Sequence, residues 1–575
     1  MAARRRIAGR DARPAVVDLR ERPGCDVLIV GGGINGLAAF RDLAMQGVDV
    51  TLIDRGDLAA ATSAASSRMV HGGLRYLENG EFRLVREAVA ERNTLLANAP
   101  HYVRPLPTTV PIRHTWTGLA GAPRRFLTGK GPARRTARGA ALVKLGLSLY
   151  DSYSHAGRAA DGTGVPRHAF AGRAQSHEEL PDLHPDVRCT ATYYDATVRA
   201  PERLALELAL DGLAANPGAR VVTYVEATGA SSAGLDVRDA VTGDELTLRP
   251  RVVVNASGPW TDLTNAALGE ETAFMGGTKG SHVVVDSPAL LEATRGREIF
   301  FENDDGRIVL IHPQHGRVIL GTTDIPADPR EPAVCTEEEV DYFLDLVAHV
   351  FPGIPVAREE IVHRFAGIRP LPRASAASPG EIPRDYRLET STLPGDVPLV
   401  SVVGGKWTTH RALGERVADA VLALVGVPRV TSTRAVAIGG GRGYPRPDDR
   451  STWIADHLPG MDDARAESLL DRYGTRAVGV AAAEALGRGR REGARPLRHA
   501  PGYTRGEIAW IARTELVVRL ADVVGRRTQL EFRGEVTDAL VEELAAIVGE
   551  ELGWSRRRRK AEVEALVGRA TVASP

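Results

Sequence analysis

At 575 residues the chain exceeds one hydrophobic core, so two or three domains are expected. Lys plus Arg and Asp plus Glu balance at 73 each, so whole-chain charge gives no reason to expect a nucleic-acid partner, and no run approaches the ~18 apolar residues of a membrane span. Cys25, Cys189 and Cys335 are isolated, with no CxxC pair, which argues against a disulfide scaffold or a structural metal.

Residues 1–24 are basic and lack the apolar stretch of a secretory signal, so they read as a flexible leader. A strand over 26–30, a helix over 34–46 and a strand over 49–53 then form a βαβ unit around GGGING. Gly31, Gly33 and Gly36 fit GxGxxG: a tight turn, a close backbone approach to a pyrophosphate, and close packing of helix on strand. Asp54 ends the second strand, where a carboxylate accepts hydrogen bonds from a ribose and repels a 2′-phosphate. Asn35 within the turn and Arg55 beside the acid join these as cofactor-binding candidates, with Thr62, Ser63, Ser66 and Ser67 of the loop ATSAASSR. The cradle alone does not separate FAD from NAD.

The block MVHGGLRYLE follows, with His71, Arg75 and Tyr76 around paired glycines, and a helix is expected over about 81–98, stopped before Pro100. Stretch 113–144 is basic with apolar anchors, and no acid stands between Glu91 and Asp151, a pattern suited to an anionic membrane surface. The middle of the chain alternates strand-like runs with turns and reads as antiparallel sheet. Two further apolar strands end in small residues: one before Ser257 and Gly258, one before Gly404 and Gly405. A helix after the latter could aim its positive end at an electron-rich flavin ring. Three such turns favour a large dinucleotide in extended form, hence FAD. Residues 25–435 are therefore expected to form an α/β + β body, a Rossmann-type FAD-binding domain with interleaved substrate-binding segments at about 101–185 and 280–360. A linker over 436–450 and a helical C-terminal domain over 451–575 complete the chain.

The run from DVLIVGGGINGLAAF through SSRMVHGGLRYLE resembles the N-terminal part of FAD-dependent glycerol-3-phosphate dehydrogenases, whose fold is of the glycine/D-amino-acid oxidase type. The resemblance continues in family order through VNASGPWTD, KGSHVVV, LGTTD, FAGIRPL, RDYRL, GGKWTTHR and the C-terminal ARTELVVRLADVVGRRTQLEF. Departures are His410, where the family often has Tyr, Thr514-Glu515, where it often has His-Glu, and a longer basic stretch at 113–142.

The resemblance implies oxidation of sn-glycerol 3-phosphate to dihydroxyacetone phosphate, a hydride passing from C2 to flavin N5 and electrons then to a quinone, on the cytoplasmic face of the cell membrane. It places Arg369 in the substrate pocket; Arg75, Tyr76 and Arg384 are further phosphate or hydroxyl donors. His282 and His71 are alternative proton acceptors, the latter also suited to tuning the flavin. Lys406 binds phosphate or sits at the flavin's pyrimidine edge, with Thr408 and Thr409 hydrogen-bonding nearby. An oxidase delivering electrons to oxygen, and a flavin-binding protein without turnover, are the rival readings. A homodimer is left open.

Overall fold

The computed structural model describes residues 13–73, 82–113, 144, 146–148, 150–151, 165–303, 307–373, 385–486 and 492–573. Arg75, Tyr76, Arg384 and most of the basic stretch 113–144 lie outside the described residues. The chain divides into two compact units, one of residues 1–64, 200–277 and 370–575, the other of 65–199 and 278–369.

The first unit is built on a twisted, largely parallel sheet. Its strand order is Arg387–Leu393, Val397–Val403, Glu245–Asn255, Gly24–Val30, Val50–Asp54, Arg220–Thr223. All neighbouring pairs are parallel except the first, and a hairpin of Val225–Ser231 and Gly234–Asp239 extends antiparallel from Glu245–Asn255. The central strands read VLIV, VVV and LVSVV and bury both faces, as a parallel sheet covered by helices must. Helices Ile34–Met45, Pro201–Ala215 and His410–Val425 supply one cover. Gly414 lets the last of these approach the first, since a Cβ there would stand 2.7 Å from Ala38.

Residues 14–21, read from sequence as part of a flexible leader, instead form a helix, Pro14–Glu21. Pro14 presets its first turn, Val16 and Leu19 are buried in the sheet's core, and Arg13 pairs with Asp239 at 2.7 Å. At the other end of the chain, helices between Arg450 and Ala573 enclose a core of their own around Leu469, Leu470, Tyr473, Ile508, Ile511, Leu544 and Val548.

The second unit is a mainly antiparallel sheet in the order Ile325–Pro326, Thr278–Val285, Arg317–Gly321, Ile308–Gln314, Glu298–Glu302, Val103–Ile112, Cys189–Val198, Met69–Val70. Ile361–Arg369 pairs with the full length of Thr278–Val285. Helix Glu337–Val350 covers this part of the sheet, its start fixed by a capping box between Thr336 and Glu339.

Candidate functional site: a glycine cradle and an arginine–histidine cluster

In the first unit three turns follow three neighbouring parallel strands, Gly24–Val30, Glu245–Asn255 and Val397–Val403. Open α/β sheets bind ligands at the carboxyl ends of such strands. Gly31 leaves its strand at φ +118°, and a Cβ on it would stand 2.5 Å from the Ala256 carbonyl oxygen. A Cβ on Gly36 would lie 2.0 Å from the Gly31 oxygen, so neither position accepts a side chain. Gly33 caps helix Ile34–Met45 without a side chain of its own, and Ser63 Oγ accepts the Ile34 amide at 2.9 Å.

Asp54 accepts the Gly32 amide at 2.6 Å and the Gly56 amide at 2.7 Å. Burial raises the pKa of its carboxyl, with the two amides pulling the other way. The acid of the fingerprint thus also fastens the turn.

The third turn meets the first. Gly404 and Gly405 have φ +85° and +106°, and a Cβ on Gly405 would stand 2.6 Å from Asn35 Nδ2. Trp407 Nε1 donates to the Ser63 carbonyl at 3.2 Å. Lys406, expected at the start of a helix, lies instead in the turn ahead of helix His410–Val425, because the positive φ values at 404 and 405 delay helical winding. Thr408 and Thr409 are buried, and His410 is held by the Trp407 carbonyl at 2.8 Å. Asn35 Oδ1 and Thr409 Oγ1 are buried without a hydrogen-bond partner among the described residues. Buried polar atoms seldom stay unpaired, so these two fit a polar ligand lodged at the turns.

Two cofactor candidates have other contacts. The Ser257 hydroxyl donates to Asn255 Oδ1 at 2.6 Å and accepts from Thr264 at 2.9 Å, so it braces its own turn, while Gly258 supplies φ +65°. The Arg55 guanidinium lies over the Trp260 ring, 4.7 Å from its centre. Thr62 is half-buried.

In the second unit, Arg369 ends its strand directly opposite Thr278. Its guanidinium donates to Asp324 Oδ1 at 3.0 Å, Thr322 Oγ1 at 3.0 Å and the Thr323 carbonyl at 2.9 Å. Gly280 makes room: a Cβ there would stand 2.3 Å from Arg369 Nη2. Behind the arginine, Thr323 Oγ1 accepts the Ser281 amide at 2.9 Å and donates to Glu339 at 2.7 Å, and Lys279 donates to Glu339 at 2.7 Å. Burial opposes the Glu339 charge, yet Lys279, the Thr336 amide and Thr323 hold its pKa below the usual value. The Arg369 and Asp324 side chains each keep 24% of their surface exposed, so a solute anion can reach the pair.

His282 lies on the neighbouring strand Thr278–Val285, stacked on Phe365 at 4.8 Å between ring centres. Its Nε2 meets Ser67 Oγ at 2.8 Å, and a Cβ on Gly321 would touch its ring at 2.2 Å. Burial, then Arg369 and Arg68, push the His282 pKa down to about 3, so the ring is neutral at physiological pH. Ser67, expected to bind cofactor, therefore has a histidine as its partner, and Ser66 Oγ accepts the Arg68 amide at 3.3 Å. His71 is half-buried and precedes Gly72, whose amide donates to Tyr150 Oη and Asp195 Oδ1, both at 3.0 Å. Arg92 and Tyr150 also bond to Asp195.

Sequence reasoning missed Thr322, Thr323 and Asp324 as partners of Arg369. Their signal was the polar GTTD run at a strand end, within a quoted motif but without an assigned role. Gly280 and Gly321 also went unread, because their reason lies on neighbouring strands.

A parallel sheet with three turns at the carboxyl ends of its strands, the first a GxGxxG turn with an acid at the end of the next strand, is the arrangement of dinucleotide-binding proteins. Residues 26–420 match the family described as FAD dependent oxidoreductase, and residues 431–559 match the C-terminal domain of alpha-glycerophosphate oxidase. A glycerol-3-phosphate dehydrogenase of Synechocystis sp. is 31% identical over 528 residues, covering 88% of each chain. A D-erythritol 1-phosphate dehydrogenase of Brucella abortus is 35% identical over 406 residues, 69% of this chain and 74% of that one. The solved glycerol-3-phosphate dehydrogenase from Bacillus halodurans, complexed with FAD, shares the fold with a TM-score of 0.73 at 23% identity, covering 97% of each chain. The chain belongs to the FAD-dependent glycerol-3-phosphate dehydrogenase family. It is an enzyme, and its cofactor is FAD.

Proposed function

We propose that the chain oxidises sn-glycerol 3-phosphate to dihydroxyacetone phosphate and passes the electrons to a quinone. FAD, when bound, supplies the two-electron acceptor. Residues fit to hold it are the amides of the first turn, Asp54, Asn35, Gly404, Gly405 and Thr409.

The observation that carries the substrate reading is Arg369, a braced guanidinium that solvent can reach. Its donors are fixed by Thr322, Thr323 and Asp324, and a phosphate dianion competes with the Asp324 carboxylate for the same fork. The proton of the C2 hydroxyl needs an acceptor within reach. His282 is sealed between Phe365 and Gly321 and resists protonation, which supports a neutral, positioning role for it. The half-buried His71 is the better supported base.

The match to the D-erythritol 1-phosphate dehydrogenase favours a second reading, since that polyol phosphate keeps the phosphate and hydroxyl frame with one more carbon. Both are tested by adding each substrate anaerobically to the flavoprotein and following loss of the flavin absorption. Bleaching by glycerol 3-phosphate with formation of dihydroxyacetone phosphate is expected. Bleaching by the four-carbon substrate alone would replace the first reading with the second, and no bleaching by either would refute both.

For the acceptor, the basic character of 113–144 supports delivery of electrons at an anionic membrane surface on the cytoplasmic side. Among the described residues no helix is long and apolar enough to cross a membrane. Reoxidation by a soluble quinone much faster than by oxygen is the expected outcome; peroxide formed at the quinone rate would make it an oxidase.

A further inference from the structure

The loop after Asp54 carries a second carboxylate that neither the cofactor nor the substrate chemistry uses. Asp57 is fully enclosed, and Arg527 grips its two oxygens at 2.7 and 2.8 Å while Arg526 Nε adds a third donor. Burial opposes the Asp57 charge, but Arg527 and Arg526 together hold its pKa below the usual range. Arg527 is itself buried and anchored: its Nε donates to the Glu515 carbonyl at 2.9 Å, and its own carbonyl accepts from Arg203 at 2.8 Å. Arg203 grips the Glu515 carboxylate in turn at 2.7 and 3.0 Å.

A second tie runs through Tyr224. Its hydroxyl donates to Asp522 at 2.5 Å, Arg526 donates to the same carboxylate at 2.9 Å, and the Tyr224 amide donates to the Gly56 carbonyl at 2.9 Å. Arg526 and Arg527 close a single π-helical turn, Val523–Arg527, in the segment that matches the C-terminal domain.

The other side of this loop is the cradle. Asp54 binds the amides of both Gly32 and Gly56, the Ala59 amide donates to the Gly32 carbonyl at 2.9 Å, and Leu58 lies where a Cβ on Gly32 would stand, 2.8 Å away. Loop 54–59 thus has one face on the first glycine turn and the other on Arg526, Arg527 and Tyr224.

We propose that Arg527, assisted by Arg526, is a positioning residue for the FAD cradle, so that the helical C-terminal segment belongs to the cofactor-binding apparatus. By fixing Asp57 it fixes Asp54 and, through the Gly32 amide that Asp54 holds, the first glycine turn against which the dinucleotide lies. This rests on FAD being the cofactor and is independent of which polyol phosphate is oxidised.

The test is the rate of flavin release from the holoprotein on dilution, read by the recovery of flavin fluorescence, beside the melting temperature. R527Q, which leaves at most one neutral hydrogen bond where two charge-assisted ones held Asp57, is expected to release FAD about tenfold faster, and R527K to fall between it and wild type. Y224F, which removes one hydroxyl, should accelerate release about threefold. E507Q is the control: Glu507 is a buried partner of Arg465, Arg472 and Tyr473 and makes none of the contacts to loop 54–59. It should lower the melting temperature and leave release within about twofold of wild type. Release from R527Q at the wild-type rate, or acceleration by E507Q as large as by R527Q, would overturn the proposal. Should R527Q fail to fold, Y224F decides, and unaltered release from it overturns the proposal as well. A wild-type chain that holds no flavin and takes none up would end both this inference and the cofactor assignment.

Discussion

The three turns of the first unit and the Arg369 cluster of the second meet opposite demands with opposite materials. At the turns the working groups are backbone amides, and the side chains that matter are mostly the ones left out: Gly31, Gly36 and Gly405 are each filled by a neighbouring residue. Around Arg369 the working groups are charged or hydroxylic side chains from two strands, the loop 322–324 and a helix, each held by another. A backbone site is broken by adding atoms, whereas a side-chain site is broken by removing them or by changing their charge. In the first the ionisable groups, Asp54 and His410, brace the turns from behind; in the second they are the working groups themselves.

That contrast sets the order of expected effects. Arg369→Ala should lower kcat/KM for the phosphate substrate by about a thousandfold, roughly 4 kcal/mol, with the flavin spectrum intact. Steady-state kinetics on the yellow variant checks this, and a change confined to flavin content would move Arg369 out of the substrate site.

Gly36→Ala should act in the reverse sense. The added Cβ meets the Gly31 carbonyl oxygen at 2.0 Å, a backbone atom, and FAD affinity should fall about a hundredfold. Flavin retained after gel filtration at wild-type stoichiometry would show that the turn can relax.

Acid should expose the difference between the units. Burial keeps His282 and His312 neutral down to about pH 3 in the second unit, and His410 down to about 4 in the first. In the unfolded chain each binds a proton below about 6.5, so the unfolded state gains protons first as pH falls. Stability is therefore full above 6.5 and declines below it, by roughly 1.4 kcal/mol per pH unit for each histidine. Calorimetry from pH 7.5 to 5 should show a decline that His312→Asn partly flattens; an identical slope in that variant would remove His312 from the explanation.

The smallest effect is the most discriminating. Asp324→Asn keeps an acceptor for Arg369 and removes a negative charge facing the incoming dianion, so KM should fall about threefold. A rise in KM would mean that the carboxylate is needed to aim the guanidinium.

The same contrast explains what could be read in the sequence. GxGxxG, the acid at Asp54 and the paired glycines at 404–405 are local, because a turn's requirements are written in adjacent residues. The partners of Arg369 are not local: Asp324 is 45 residues away along the chain and Thr278 is 91. No periodicity announces that Gly280 is small because an arginine lies on it, or that Ser67 meets His282. Nor did spacing foretell that Asp57, three residues past Asp54, is gripped by Arg527. The antiparallel character of the second sheet was legible in alternating runs, but its pairing order was not, since Glu298–Glu302 lies parallel to Val103–Ile112 across a long stretch of chain.

The pairing of Gly280 with Arg369 also constrains how such a protein can change over generations. The guanidinium occupies the volume that a methyl group on Gly280 would need. While the arginine is present, alanine at 280 is selected against; once the arginine is lost, that glycine is free to drift. After the drift, restoring the arginine alone no longer restores its fit, because two substitutions in the right order are then required. Gly321 and His282 stand in the same relation. A descendant that gave up the arginine would therefore find the way back closed behind it, and the order of loss would remain visible in which glycines survive.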